Sequence, residues 1–146
     1  MSVIQEIASV VEGIVNEVIV LEASYTYPKR EVPKPYPALS VLYNGFTRPD
    51  LDDMDSFVHD LKYSITLWLK NDGRDLEARW DELIELMWQI VLRFANDRTL
   101  GHTCRQCEIS AGEPVVHMSE GQGASKIPVS LGHTFDLVVR IETREE

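Results

Sequence analysis

Residues 57–101 constrain the fold more than any other part of the chain. Phe57, His59, Leu61, Tyr63, Ile65, Leu67 and Leu69 alternate with Val58, Asp60, Lys62, Ser64, Thr66, Trp68 and Lys70. Successive side chains of a strand point to opposite faces, so this pattern specifies a strand with one buried and one wet face. Its length exceeds the usual ~5–6 residues, which marks it as central or bent. Asn71-Asp72-Gly73 then turns the chain. Residues 75–96 read as an amphipathic helix. Leu76, Trp80, Leu83, Ile84, Met87, Val91, Phe94 and Ala95 form a broad apolar stripe. Asp75, Glu77, Asp81 and Glu82 crowd the first turns, while Arg93 and Arg98 sit at the end, an order that complements the helix dipole. Gly101 reverses the chain after it. The block therefore dictates a half-buried sheet packed by a helix, and none of its residues is chemically armed.

The flanking segments extend that scheme. Residues 2–21 read as a helix opened by a capping box, Ser2 with Gln5, and striped by Val3, Ile7, Val10, Val11, Ile14, Val18 and Ile19. Its β-branched residues keep a strand over 18–21 open as an alternative. Residues 25–37 are extended, because Pro28, Pro33, Pro35 and Pro37 remove donors and bar a central strand. Lys29, Arg30 and Lys34 make this the one locally basic stretch, either a surface loop or an arm lying on something else. Residues 38–43 form a strand that Asn44-Gly45 ends in a turn. Residues 48–56 form an acidic loop. Further strands are expected over 104–111, 115–119 and 134–143, with a small-residue loop around Gly121 to Ser125. No linker or repeat divides the chain, so residues 1–146 are read as one domain. The expected fold is α+β: two long helices on a mainly antiparallel or mixed sheet of about four to five strands.

Composition narrows the function classes. The 146 residues are 44% hydrophobic, enough for a core, and carry a formal charge of −10 from 24 acidic and 14 basic side chains. Wrapping a phosphate backbone wants clustered Lys and Arg, which this balance disfavours. It leaves room for a surface that DNA slides past without sticking. Cys104 and Cys107 are too few for a disulfide framework and are read as free thiols. No run reaches the ~20 apolar residues that span a bilayer, and the N-terminus has no basic region of a secretory signal.

Chemical constellations are sparse. His102, Cys104, Cys107 and His117 offer zinc-type ligands at short spacing. Against zinc, Cys104 and Cys107 fall in or beside an expected strand and would point to opposite faces if it is regular. Two semi-buried cysteines and two surface histidines are the preferred reading. Asp50, Asp52, Asp53 and Asp55 lack the glycine and terminal glutamate of a calcium loop, so they are a solvated charge run. No nucleophile elbow, phosphate loop or dinucleotide fingerprint is present, so neither a catalytic residue nor a cofactor is assigned. Trp80 is expected in the core and Trp88 partly buried. Trp68 lies on the wet face of the long strand, where it marks either a contact or a face covered by a second helix.

The order of elements resembles the tail terminator and tail-completion (head-tail joining) proteins of long-tailed bacteriophages. The resemblance lies in Tyr36-Pro37-Ala38-Leu39, Tyr63-Ser64-Ile65-Thr66-Leu67-Trp68, the helix over 83–92, and Asp97-Arg98-Thr99-Leu100-Gly101. It covers most of the chain and carries no specific motif; the His102-Cys104-Cys107 element is no part of it. It implies a virion protein, not an enzyme, forming a homo-oligomeric ring, typically of six, at the head-proximal end of the tail tube. Such a ring stops tube growth and docks on the head connector, with DNA passing an acidic lumen. The expected location is the tail or neck of the virion, after assembly in the bacterial cytoplasm, with no membrane partner. Tyr27, Tyr36, Trp68, Arg30 and Lys34 are the candidate contact residues, and the arm over 25–37 and the loop over 120–126 are expected to order on assembly. The alternative from another class is a small zinc-binding or regulatory module built on His102, Cys104 and Cys107.

Overall fold

Helix α1 (Val3–Val18) begins where the sequence places its cap: Gln5 N–H donates to Ser2 Oγ at 3.3 Å, and Ser2 N–H donates to Gln5 Oε1 at 3.1 Å. The structure, a computed structural model, describes residues 2–28, 35–48, 58–70, 76–118 and 128–142; of 117, 118, 128 and 129 it describes the backbone alone. The cap satisfies N–H groups that the first turn leaves orphaned. The helix stops at Ile19, whose backbone is extended, so the strand alternative over 18–21 does not form. Strand β1 (Ala23–Tyr25) follows, then β2 (Ala38–Thr47), β3 (Val58–Lys70), helix α2 (Leu76–Asn96), β4 (Gln106–Met118) and β5 (Pro128–Glu142).

Among the described residues the five strands form one mixed sheet in the order β1-β2-β3-β5-β4. The β1–β2 pair is parallel and the rest are antiparallel. The long alternating strand is the centre of the sheet. On one face Leu61, Tyr63, Ile65 and Leu67 stand opposite Val139, Leu137, Phe135 and His133 of β5. Both helices cover that face: Ile7, Val11 and Val15 of α1 and Met87, Ile90 and Phe94 of α2 join all of those strand residues except His133 in one core. Each fully buried Leu, Ile or Phe there contributes about 1.5–3 kcal/mol. α1 lies against β2, and α2 against β5 and β4. Tyr63 ties the helix layer to the sheet, donating its hydroxyl to the Ile4 carbonyl at 2.9 Å. Burial, with Tyr43 nearby, pushes the Tyr63 phenol above its ordinary range, so it remains a donor.

Several expectations are corrected. Asn44-Gly45 does not end β2. Gly45, at φ 101°, takes up a bulge between Tyr43 and Phe46, and pairing to β3 resumes at Phe46. The two short strands expected over 104–119 are one strand, β4, which tolerates Pro114 because it is the sheet edge. Strand β5 starts at Pro128, well before Thr134, and forms a long hairpin with β4. The buried stripe of α2 is Leu83, Met87, Ile90 and Phe94. Ile90, absent from the expected stripe, is inside, whereas Ile84 and Ala95 are outside.

Candidate assembly surfaces

The sheet has two differently built edges, and apolar side chains are exposed beside both. At one edge, β4 pairs with β5 alone among the described strands. Alongside it α2 turns Ile84 (49% exposed) and Trp88 (59% exposed) outward. Trp88 is thus far more open than its sequence suggests. The reason lies in width: the apolar stripe of α2 spans more of the helix than a single sheet face can cover. Between α2 and β4 runs a groove of about 370 Å³, lined by Ile84, Trp88, Val91, Ile109 and Phe135. His133 also lines it, with Nδ1 3.0 Å from the Thr134 carbonyl, and burial pushes its pKa down.

At the opposite edge β1 covers Ala38 to Ser40 of β2, leaving the outer side of the rest of β2 unpaired among the described strands. Phe46 stands there 60% exposed, edge-on to His59, with ring centroids 5.5 Å apart. Tyr27, just beyond β1, is 56% exposed and packs edge-to-face on Tyr25. Beneath α1 a second groove of about 530 Å³ opens between Ile4, Ala8, Val41, Tyr43 and Tyr63. Residues of this size and exposure on two separate flanks are the usual mark of contact surfaces.

The sheet face away from the helices is polar. Arg140 grips Asp60 there with two hydrogen bonds, Nε to Oδ1 at 2.9 Å and Nη2 to Oδ2 at 3.2 Å, and the pair raises the arginine pKa. Trp68 lies on this face, half-buried. No second helix accounts for it, since both described helices cover the other side. Its ring lies over Gly132, directly opposite on β5: a Cβ on Gly132 would stand 2.6 Å from Trp68 Cε3. The glycine thus makes the slot that accepts the indole. Pairing across strands is non-local, so sequence spacing carries no signal for this partnership.

The remaining site residues are dispersed. Tyr36 is half-buried at the entry to β2, and its hydroxyl has no hydrogen-bond partner among the described residues. Arg30 and Lys34 lie outside the described residues, as does the loop over 120–126. Cys104 precedes β4 in the turn leaving α2, so it does not alternate with Cys107 along a strand; the two sulfurs lie 3.8 Å from the Arg98 and Asp97 carbonyl oxygens respectively. His102 is exposed, and the His117 side chain is outside the description. Among the described residues no group of three or more His, Cys, Asp or Glu is placed to hold a metal ion. None of the described helices is long and apolar enough to cross a membrane.

No protein-family model matches the sequence, and no curated protein matches it. Among solved structures the chain is similar to one titled "Virion of native gene transfer agent (GTA) particle", at 10% identity and a TM-score of 0.41, over 93% of this chain and 94% of that one.

Proposed function

We propose that this chain is a structural protein of a phage-like virion, a tail-terminator or neck subunit that works by closing into a ring. The observation that carries this reading is the pair of apolar flanks at opposite edges of the sheet, Ile84 and Trp88 beside β4 and Phe46 and Tyr27 beside β1 and β2. A head-to-tail ring needs two unlike surfaces on opposite sides of each subunit, whereas a two-fold dimer needs one self-complementary patch. A second copy of this chain is therefore the occupant of the α2–β4 groove, presenting its β2 edge. The resemblance of the sequence to tail-terminator proteins supplies the setting: a ring, expected to be hexameric, at the head-proximal end of the tail tube. There it ends tube polymerisation and meets the head connector. The formal charge of −10 suits a lumen through which DNA passes without sticking. Tyr27, Tyr36, Trp68, Arg30 and Lys34 are proposed contacts with neighbouring subunits, the tube or the connector. In this reading side chains supply fit rather than reactivity, and no cofactor is needed.

Sedimentation velocity of the purified protein over a wide concentration range tests the proposal. Ring-sized particles are expected for the wild type and smaller species for Trp88→Gln, a substitution on the helix surface that changes folding stability little. A wild-type protein that stays monomeric at high concentration and does not bind tail tubes would overturn it.

A further inference from the structure

The turn from α2 into β4 is built around its two thiols. Leu100, Gly101 and His102 all adopt positive φ, at 49°, 65° and 68°, so the chain doubles back tightly. Asp97 and Thr99 side chains hold it, accepting from Gly101 N–H at 3.0 Å and from His102 N–H at 3.3 Å. Two backbone bonds then bring the cysteines home: Cys104 N–H to the Thr99 carbonyl at 3.1 Å and Cys107 N–H to the Arg98 carbonyl at 2.7 Å. Cys104 Sγ lies 3.8 Å from the Arg98 carbonyl oxygen, and Cys107 Sγ lies 3.8 Å from that of Asp97, the adjacent residue. The two sulfurs thus sit against carbonyls of consecutive residues just past the end of α2. Their burial is unequal: Cys104 is part exposed, whereas Cys107 is buried against the core opposite Val139.

From this geometry we propose that Cys104 and Cys107 form a thiol–disulfide exchange site, in which Cys104 attacks small-molecule disulfides and buried Cys107 resolves the product. The chemistry divides as the burial does. Cys104, as thiolate, attacks one sulfur of a disulfide RSSR; the S–S bond breaks and RS⁻ leaves, taking up the proton that Cys104 lost. Cys107 then gives up its proton and its sulfur attacks Cys104 Sγ in the mixed disulfide, releasing the second RSH. The two thiols lose two electrons and become one disulfide; RSSR gains them and becomes two RSH. Interaction with Cys107 pushes the Cys104 pKa down, while the same interaction and burial push the Cys107 pKa up, which fits the assigned order. The closed bond joins the turn to the first residues of β4 and staples the junction between α2 and the edge strand. The site is independent of any ring.

Intact-mass analysis of the purified protein, incubated with oxidised glutathione and then alkylated after acid quench, tests this directly. Wild type is expected to lose two hydrogens and to resist alkylation at both cysteines, with no lasting glutathione adduct. Cys107→Ser should trap one glutathione on residue 104, and Cys104→Ser should react about tenfold or more slowly. A wild-type protein that accumulates a glutathione adduct without closing, or whose two thiols remain open to alkylation after treatment, overturns the proposal without recourse to the variants.

Discussion

Replacing Gly132 by alanine isolates the contact that shapes the open face of the sheet. The backbone at Gly132 has an ordinary φ, so strain comes only from the added methyl. That methyl would meet Trp68 Cε3 at 2.6 Å and Cζ3 at 2.9 Å. Carbon atoms rest at about 3.5–4.0 Å, so the indole must shift by about 1 Å. These are atoms of a rigid plate rather than the end of a flexible chain, so the ring moves as a whole and loses its seat between strands. Overpacking of this kind costs about 1–3 kcal/mol. Restricting the unfolded chain returns about 0.4–1 kcal/mol, which leaves a net loss of up to about 2.6 kcal/mol. For a chain of this size that lowers Tm by up to roughly 10 °C. A double-mutant cycle reads the origin of the loss: with Trp68→Val the ring is gone, and Gly132→Ala should then be neutral or mildly stabilising. Urea melts followed by circular dichroism measure all four proteins. An equal cost of Gly132→Ala in both backgrounds would show that the ring is not what the methyl meets.

Two further effects follow from the packing. Tyr63→Phe removes the hydrogen bond to the Ile4 carbonyl and should cost about 0.5–1.5 kcal/mol, with faster hydrogen exchange in the first turns of α1; unchanged stability and unchanged exchange would contradict that anchor. Burial lowers the His133 pKa below the ordinary 6.5, so the folded state resists a proton that the unfolded chain takes up. Stability from this source is full above the unfolded pKa and falls as the pH drops through the folded one. The decline below about pH 6.5 should be shallower in His133→Gln, and identical pH profiles would refute the assignment.

How much of this could be read from the chain depended on how local the cause was. Ser2 and Gln5 complete their cap within one helical turn, and the alternation of β3 needs only its own residues. Asn44-Gly45 misled because a bulge and a reversal use the same backbone conformation, and only the partner strand decides between them. Ile84 carries the periodicity of a core residue and Trp88 lies at the edge of the stripe, but the sheet beneath α2 is too narrow to cover the whole stripe, so both large apolar side chains stay outside. They became the candidate surface for that reason. The meeting of Cys104 and Cys107 depends on non-glycine residues, Leu100 and His102, held at positive φ. That conformation carries little sequence signal. Gly132 beneath Trp68 was invisible for the same reason as the bulge: its meaning lies on another strand.

Mixing two half-disabled proteins tests the ring most directly. Trp88→Gln spoils the α2–β4 flank and leaves the β2 edge intact; Phe46→Gln does the reverse. If the contact is head-to-tail, each variant alone forms no ring, because no copy has both working flanks. An equimolar mixture should then yield heterodimers and stop there, joined through the one intact pair of surfaces, as read by sedimentation velocity or mass photometry. Wild-type rings that persist in both single variants, or a mixture in which the two variants never associate, would contradict assembly through these opposite edges.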